Sequence, residues 1–441
     1  MKVKRFFYKY YKKWFLFDRW FRRRFTSQGR FFLMIFFVSV IFGISTRRSM
    51  VFVLLGVAVS VLVISFFTTR RKKPDIAIKR FLPDQTEVNS PLSYQVRVKN
   101  KGDRELRGLY LKELPVDPRP SLNVFLNTVE DGEEKRNIYD RTMGFYRWMW
   151  ILKRNVGAVF EKKALPVILP GEEITVKMEL SSIRRGHVEF SGMEVFIPGP
   201  FNLLCSFHVF PVQSSVLSLP EIFSVDVETD KARSGESENA IWRSTGLQGE
   251  FMFVREYRPG DDIRFMNIRL LAKTDEPMIN QYMPETGAPF DIICDCYPPD
   301  SGTEYFESAV SLAASVEKAF ISAFSSAGLF IYEDSVEDFR MKGEPEILEK
   351  FALMKQPEKG DFSMTLNTVI ENMDSLAAVV LILTSWDKTR KYLVDELLNA
   401  GREVKLIFLT DGDKKNLEND IPTEFSAVYN YKNVRYEIER I

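Results

Sequence analysis

Two long apolar runs near the amino terminus constrain this chain more than any other feature of its 441 residues. The first, Phe31–Ser45, lies between Arg30 and Arg47, and the second, Met50–Phe67, contains no charged residue. A helix that spans a bilayer needs roughly 17–25 apolar residues, which the second run supplies and the first nearly supplies. We therefore predict a hairpin of two transmembrane helices over residues 31–69. A single long span and a buried helical hairpin in a globular core are the alternatives.

Charge is divided unevenly around these runs. Residues 1–73 carry a formal charge of +16, whereas the whole chain sums to +1, so the remainder carries −15. Lysine and arginine accumulate on the cytoplasmic side of membrane helices. The predicted localisation is therefore the cell inner (plasma) membrane, multi-pass, with residues 31–67 in the lipid bilayer and both termini in the cytoplasm.

Residues 1–30 combine eleven basic residues with a regular series of aromatic ones. Steps of three and four residues would place these aromatics along one face of a helix. Such a basic aromatic juxtamembrane helix suits a negatively charged surface, so anionic lipid headgroups are its predicted partner. Nucleic acid is the weaker alternative, and we expect none to bind. The aromatic series is Phe6, Tyr10, Trp14, Phe17, Phe21 and Phe25.

A β-rich region follows over residues 74–220, with an insertion at 115–164. Leu92–Val98 and Ile174–Leu180 alternate apolar and polar residues, as half-buried strands do. Strands at this spacing predict a β-sandwich of immunoglobulin-like type. Within the insertion, Tyr139–Phe160 is rich in aromatic residues and predicts a helix, which would pack in the core or contact the bilayer surface.

In residues 289–441 the pattern changes to apolar strands that alternate with helices. Phe290–Cys294, Leu376–Leu383 and Glu403–Leu409 are strands of this kind. The alternation predicts a doubly wound α/β domain with a parallel sheet. Ligands of such sheets bind beyond the carboxyl ends of the strands. The polar residues at those ends are Asp295, Ser385, Asp387 and Asp411.

Few residues offer metal or nucleophilic chemistry. The chain has three cysteines and two histidines, His187 and His208. These numbers exclude a disulfide framework and a multi-histidine metal site. The sequence also lacks a Gly-x-x-x-x-Gly-Lys-[Ser/Thr] run, which P-loop ATPases use to bind phosphates.

Residues 221–288 link the two regions and hold the most specific motif. Arg258-Pro-Gly-Asp261 predicts a tight turn, because proline presets φ at the second position and glycine accepts positive φ at the third. Charges of alternating sign surround the turn. A structural ion network is the simplest interpretation of them, and a catalytic pair of carboxylates is the alternative.

This segment resembles the signature of the domain of unknown function 58 family of bacterial membrane proteins. The pattern comprises Glu-Phe, Arg-Glu-Tyr, Gly-Asp-Asp and a following arginine, and the resemblance extends along the chain from Phe31. It implies a carboxy-terminal domain similar to a von Willebrand factor type A domain and a partner among MoxR-type AAA+ ATPases. The residues that carry the signature are Glu250, Phe251, Arg255, Glu256, Tyr257, Gly260, Asp261, Asp262 and Arg264.

Type A domains often bind Mg²⁺ through an Asp-x-Ser-x-Ser sequence after the first strand. The equivalent residues here are Asp295-Cys-Tyr-Pro-Pro299, which keep the aspartate and lose both hydroxyl ligands. Asp295, Ser385 and Asp387 are therefore degenerate positions of such a site. We expect no metal and no other cofactor, with Mg²⁺ binding as the alternative.

These features predict a membrane-anchored, non-enzymatic interaction or assembly platform. It would present the β-sandwich and the A-like domain in the cytoplasm and work with the AAA+ ATPase. Two alternatives remain open. One is a hydrolase-like enzyme that uses the carboxylates of residues 250–264, which an unpaired carboxylate in an open pocket would favour. The other is an Mg²⁺-dependent ligand-binding A domain.

Overall fold

The structure is a computed structural model that describes most of the chain. The described residues form two compact units, Met1–Glu221 and Ile222–Ile441. The residues outside the description are 1, 44–48, 70–72, 131, 226–250, 258–265, 268, 272–276, 283–289, 298–302, 325, 326, 341, 358–360, 377, 411–425, 432, 433 and 435–441.

The first unit begins with long helices and continues with antiparallel sheets that carry a helical insertion. Its helices are α1 (Lys2–Arg24), α2 (Ser27–Gly43), α3 (Ser49–Thr68), α4 (Leu122–Asn127), α5 (Ile138–Met143) and α6 (Phe145–Val156). Its strands are β1 (Ile76–Phe81), β2 (Gln85–Glu87), β3 (Pro91–Asn100), β4 (Tyr110–Pro115), β5 (Ala158–Phe160), β6 (Lys162–Ala164), β7 (Glu173–Ser182), β8 (Gly186–Pro198), β9 (Cys205–Phe210) and β10 (Ser214–Leu219).

The amino-terminal helices do not fulfil the prediction of a transmembrane hairpin. Helix α2 has 17 residues and includes Arg30, so its apolar part, 31–43, is about 20 Å long at 1.5 Å per residue, against roughly 30 Å for a bilayer core. Among the residues that the structure describes, no helix combines the length and apolar character needed to cross a membrane. The predicted hairpin over residues 31–69 is therefore wrong, and the multi-pass inner-membrane localisation loses its basis. The predicted fold class, which began with that hairpin, is corrected to long amino-terminal helices, antiparallel sheets and a mixed α/β domain.

Two sheets of the first unit share one hydrophobic core. One sheet has the strand order β1-β3-β7-β5, and the other has the order β2-β10-β8-β4-β6 with β9 also paired to β8. In β3 every second residue from Tyr94 to Asn100 is buried, which is the alternation expected of a strand with one face on the core. Tyr94, Val96 and Val98 of one sheet join Val195 and Ile197 of the other in this core.

Helix α1 packs against the helical insertion through aromatic side chains. The Tyr8 and Tyr11 rings lie 5.8 Å and 6.0 Å from the ring of Trp148 in α6, and Phe125 of α4 completes the cluster. The Tyr8 hydroxyl donates a hydrogen bond to the Pro120 carbonyl at 3.0 Å. The helix predicted over Tyr139–Phe160 appears as α5 and α6, whereas residues 158–160 form β5. Trp148 packs in the core, but Tyr139 and Tyr146 are 75% and 48% exposed.

Three of the six residues in the predicted aromatic series are exposed, and the other three are half-buried. Phe6, Tyr10 and Phe17 are 68%, 56% and 59% exposed. The carboxyl end of α1 is attached to the sheets, because Arg23 forms an ion pair with Glu194 of β8 and Thr26 N–H donates to the Leu203 carbonyl at 3.1 Å. Helix α1 is thus an integral part of the first unit. Their contact with anionic headgroups stays a prediction.

The second unit contains a two-stranded hairpin and a mixed α/β sheet with the order β15-β14-β13-β16-β17-β18. Its strands are β11 (Phe251–Glu256), β12 (Met278–Tyr282), β13 (Phe290–Cys294), β14 (Leu329–Tyr332), β15 (Ser335–Asp338), β16 (Ala378–Leu383), β17 (Val404–Thr410) and β18 (Ser426–Asn430). Its longer helices are α7 (Thr303–Phe324), α8 (Glu344–Leu353), α9 (Ser363–Glu371) and α10 (Lys388–Asn399).

The central strands of this sheet are parallel, and β15 is an antiparallel edge strand. Strands β13 and β16 are buried at every residue, as expected for parallel strands covered on both faces. Every carboxyl end of the parallel strands therefore lies at one edge of the sheet, where Asp295 follows β13 and Thr384 follows β16.

Helix α7 carries a buried carboxyl group on the side chain of Glu317. Glu317 is 1% exposed and lies near Asp291 of β13, which is fully buried. Asp291 accepts a hydrogen bond from Leu329 N–H at 2.7 Å. Burial, followed by the negative charge of Asp291, raises the pKa of Glu317 to about 8. Glu317 is therefore neutral in the folded protein at pH 7, although it ionises near its ordinary pKa when the chain unfolds.

Because the folded protein retains this proton between pH 4.5 and 8 and the unfolded chain does not, Glu317 makes the protein less stable as the pH rises through that window. We expect a Glu317→Gln variant to lose this pH dependence. Its free energy of unfolding, relative to that of the wild type, should therefore increase by about 1 kcal/mol for each pH unit within the window. Chemical denaturation at pH 5, 6, 7 and 8 measures the difference. The exposed Glu371→Gln substitution is the control, and equal pH profiles for wild type and Glu317→Gln would contradict the expectation.

Candidate functional site

The candidate site is a group of buried polar residues at the carboxyl edge of the parallel sheet. Asp295 follows β13, Thr384 follows β16, and Arg390 lies in the first turn of α10. All three are at most 4% exposed. Asp387 is the N-cap of α10, and its Oδ1 accepts hydrogen bonds from Thr389 N–H at 3.0 Å and Arg390 N–H at 2.9 Å. This cap satisfies backbone donors that the helix itself leaves unpaired.

Both oxygens of Asp295 accept several hydrogen bonds. Oδ2 accepts from the Thr384 N–H at 3.1 Å, from the Thr384 hydroxyl at 2.8 Å and from Arg390 Nε at 2.9 Å. Oδ1 accepts from Arg390 Nη2 at 3.0 Å and from Tyr297 N–H at 2.9 Å. Two carboxylate oxygens offer about four lone-pair directions, so these five bonds use the acceptor capacity of Asp295 completely.

The guanidinium of Arg390 connects the two aspartates. It makes a bidentate contact with Asp295, its Nη1 donates to Asp387 Oδ2 at 2.5 Å, and its Nη2 donates to the Tyr297 carbonyl at 2.9 Å. The guanidinium carbon Cζ also lies 4.4 Å from the centroid of the Phe362 ring. A buried carboxylate with a bidentate arginine is a neutral pair whose members hold each other in place.

These residues do not fit a divalent cation. A hard cation such as Mg²⁺ needs several carboxylate or hydroxyl oxygens that point to one position. Here Asp295 and Asp387 both point to the guanidinium of Arg390, which supplies the positive charge between them. The Thr384 hydroxyl is also directed to Asp295.

The structure brings two of the three degenerate metal-site positions together. Asp295 and Asp387 bind the same guanidinium, and Ser385 lies half-buried beside them in the chain. The sequence-based reasoning did not identify Arg390. A signal for it existed, because Arg390 shares a helical face with the buried residues Leu393, Val394 and Leu397, and a buried arginine on an apolar face requires an acidic partner.

The signature segment is described only in part. Phe251, Arg255 and Glu256 lie in β11, whose partner is β12, and Tyr257 N–H donates to the Pro277 carbonyl at 2.9 Å. The hypotheses of an ion network and of catalytic carboxylates depend on residues outside the described part of the chain. Those signature residues are Glu250, Gly260, Asp261, Asp262 and Arg264.

Further side chains of a catalytic type among the described residues are buried or half-buried. Cys205, Cys294 and Cys296 are buried free thiols. Hydrogen bonding with Cys294, together with burial, raises the pKa of the Cys296 thiol, which disfavours the reactive thiolate. In β9, the Ser206 hydroxyl lies 3.1 Å from His208 Nε2. Ser206 is only 6% exposed, which leaves little access for a substrate.

One family model matches part of the second unit. Residues 253–412 match the model described as "Protein of unknown function DUF58". The chain carries a DUF58 region. The predicted resemblance is therefore confirmed over those residues, which include β11 from Phe253 onward and the Asp295–Arg390 pair of the candidate site. The similarity of the DUF58 region to a von Willebrand factor type A domain stays a prediction.

The remaining comparisons add no functional information. No curated protein matches the chain. Among solved structures, the CARDB domain of the PF1109 protein from Pyrococcus furiosus is 13% identical, covers 34% of this chain and 90% of its own, and has a TM-score of 0.18. A beta-glucosidase from Listeria innocua is 15% identical, covers 34% of this chain and 16% of its own, and has a TM-score of 0.15. Likenesses at these TM-scores support no inference about fold or function.

Proposed function

We propose that the protein is a non-enzymatic interaction module whose α/β domain binds a protein partner at the carboxyl edge of its parallel sheet. This edge is the usual ligand-binding side of an open α/β sheet. The observation that carries the proposal is the internal ion pair at that edge, since Arg390 and Asp295 neutralise each other there. An edge that is fixed by internal ion pairs in this way supports binding of a macromolecule without a metal ion.

The partner that we propose is an AAA+ ATPase of the MoxR type, the class that the resemblance of the signature segment implies. The exposed rim of the edge includes Met364, which is 37% exposed and lies 3.5 Å from the Tyr297 hydroxyl. Lys388 in the first turn of α10 is also exposed. Methionine is enriched in protein interfaces relative to the rest of the surface.

Affinity measurements between the purified full-length protein and its ATPase partner test this proposal. We expect a Met364→Arg substitution at the rim to weaken binding at least about tenfold, a loss of roughly 1.4 kcal/mol. The matched control is Leu398→Arg, because Leu398 is 38% exposed and lies in the last turn of α10, at the opposite edge of the sheet. Equal affinities of the two variants, or no binding by the wild type, would refute the proposed site.

A titration with Mg²⁺ separates this proposal from a metal-dependent A domain. Because Arg390 already supplies the cation between the two aspartates, we expect millimolar Mg²⁺ to leave the melting temperature unchanged. A ligand present at 100 times its Kd would stabilise the folded protein by about 2.7 kcal/mol. A rise in melting temperature that saturates with Mg²⁺ would therefore favour the metal-dependent alternative.

A further inference from the structure

A cavity in the first unit lies between helix α1 and the helical insertion. Its volume is about 610 Å³, which falls within the range of roughly 300–1,000 Å³ typical of small-molecule sites. Lys4 of α1, Arg141 of α5 and Arg147 of α6 line it, together with Glu133. The cavity is thus formed by segments that are far apart in sequence and that the aromatic cluster around Trp148 holds together.

Positive charge exceeds negative charge among the residues that line the cavity. Glu133 is already paired, because its carboxylate accepts hydrogen bonds from Arg147 Nε at 2.7 Å and from Arg147 Nη2 at 2.5 Å. The Lys4 ammonium lies 3.9 Å from Glu133 Oε1, and Arg141 adds a further cation. Burial, followed by the positive charge of Arg147, lowers the pKa of Lys4, and Arg141 adds to this effect. An anion bound here would relieve the repulsion among these cations.

Apolar side chains surround the charged part of the cavity. Val3, Val129 and Ile138 line it and are 49%, 45% and 76% exposed. Exposed aliphatic residues grouped around a concave site indicate a ligand that covers them. Cations beside exposed aliphatic side chains are complementary to a molecule that has one anionic end and one apolar end.

We propose that this cavity binds a small amphiphile with a phosphate group, which contacts Lys4 and Arg141 while the apolar part covers Val3 and Ile138. Proteins commonly bind phosphate groups through arginine and lysine side chains. Arginine binds them by paired hydrogen bonds, and lysine binds them as a point charge. A free phosphate ester and a lipid headgroup share this chemistry. The site is independent of the partner surface proposed above, because all of its residues belong to the first unit.

Calorimetric titration of the full-length protein with dihexanoyl phosphatidic acid, used as monomers, tests the ligand class. We expect this probe to bind at least about ten times more tightly than inorganic phosphate, which lacks the apolar part, and than dihexanoyl phosphatidylcholine, which lacks the net charge. Equal affinity for the zwitterionic probe, or no binding of phosphatidic acid, would overturn the proposal. Competition by vesicles that contain phosphatidic acid would identify a lipid surface as the source, and binding of the monomers alone would identify a free ester.

Substitution in the cavity locates the site. We expect the double variant Lys4→Gln/Arg141→Gln to bind phosphatidic acid at least about tenfold more weakly, since each cation contributes a charge-assisted hydrogen bond. The double variant Lys9→Gln/Lys12→Gln removes the same charge from exposed positions of the same helix and should bind like the wild type. Melting temperatures confirm that both variants fold. Equal loss of affinity in the two variants would show that binding follows net charge and would refute the cavity as the site.

Discussion

An Arg390→Met variant is expected to lose about 3–5 kcal/mol of unfolding free energy, because the substitution leaves Asp295 buried without its charge partner. Asp295 is fully buried, and Arg390 supplies two of its five hydrogen bonds. Methionine retains much of the apolar stem of arginine, so the loss reports the charge and the hydrogen bonds more than the packing. Urea denaturation of the full-length protein, followed through the transition of the α/β domain, measures it.

Lys350→Met is the matched control for this experiment. Lys350 forms an ion pair with Glu337 at 2.9 Å, but its side chain is 50% exposed, and such pairs contribute about 0–1 kcal/mol. The double variant Asp295→Asn/Arg390→Met should recover part of the stability, because it removes the uncompensated charge. If Arg390→Met proved no more destabilising than Lys350→Met, the Asp295–Arg390 pair would not be buried as described.

A Trp148→Ala variant is expected to destabilise the first unit by about 3–5 kcal/mol, the usual cost of removing a buried tryptophan. Trp148 is fully buried, and its ring contacts Tyr8, Tyr11 and Phe125. Because two of these partners belong to α1, the variant should also release that helix from the insertion. Thermal denaturation measures the stability, and limited proteolysis within residues 2–24 measures the release.

Met149→Ala provides the control on the same helix, since Met149 is 42% exposed and surface substitutions usually change stability by less than about 0.5 kcal/mol. Rapid cleavage of α1 in Trp148→Ala, with slow cleavage in Met149→Ala, is the expected pattern. Protection of α1 in both variants would mean that contacts near Glu194 and Leu203 alone hold the helix.

Periodicity in the sequence predicted most elements of the α/β domain, because buried parallel strands are continuous apolar runs. The run over residues 376–383 appears as β16, and the run over 403–409 appears as β17. The short helix α9 and the edge strand β15 were not identified, since nine and four residues carry too little pattern. In the first unit, local alternation predicted β3 and β7 but could not give their partners.

The aromatic residues of α1 and the candidate site show which contacts could not be predicted from residue spacing alone. Both faces of α1 carry aromatic residues, so a three-to-four-residue spacing could not indicate that Tyr8 and Tyr11 pack inward while Phe6 and Tyr10 remain outside. Asp295 was identified from its place after a strand. Its partner Arg390 lies 95 residues along the chain. The apolar helical face of Arg390 indicates that it is buried and needs an acidic partner, but a single sequence does not identify Asp295 as that partner.

The shared core of α1 and the insertion has an evolutionary consequence. The aromatic rings of α1 and those of Phe125 and Trp148 bury one another, so neither segment retains a covered apolar surface when the other is deleted. The first helix and the insertion should therefore be gained or lost together during evolution. Among related sequences, we expect those with a short connection in place of residues 115–164 to lack the tyrosines of the first helix as well.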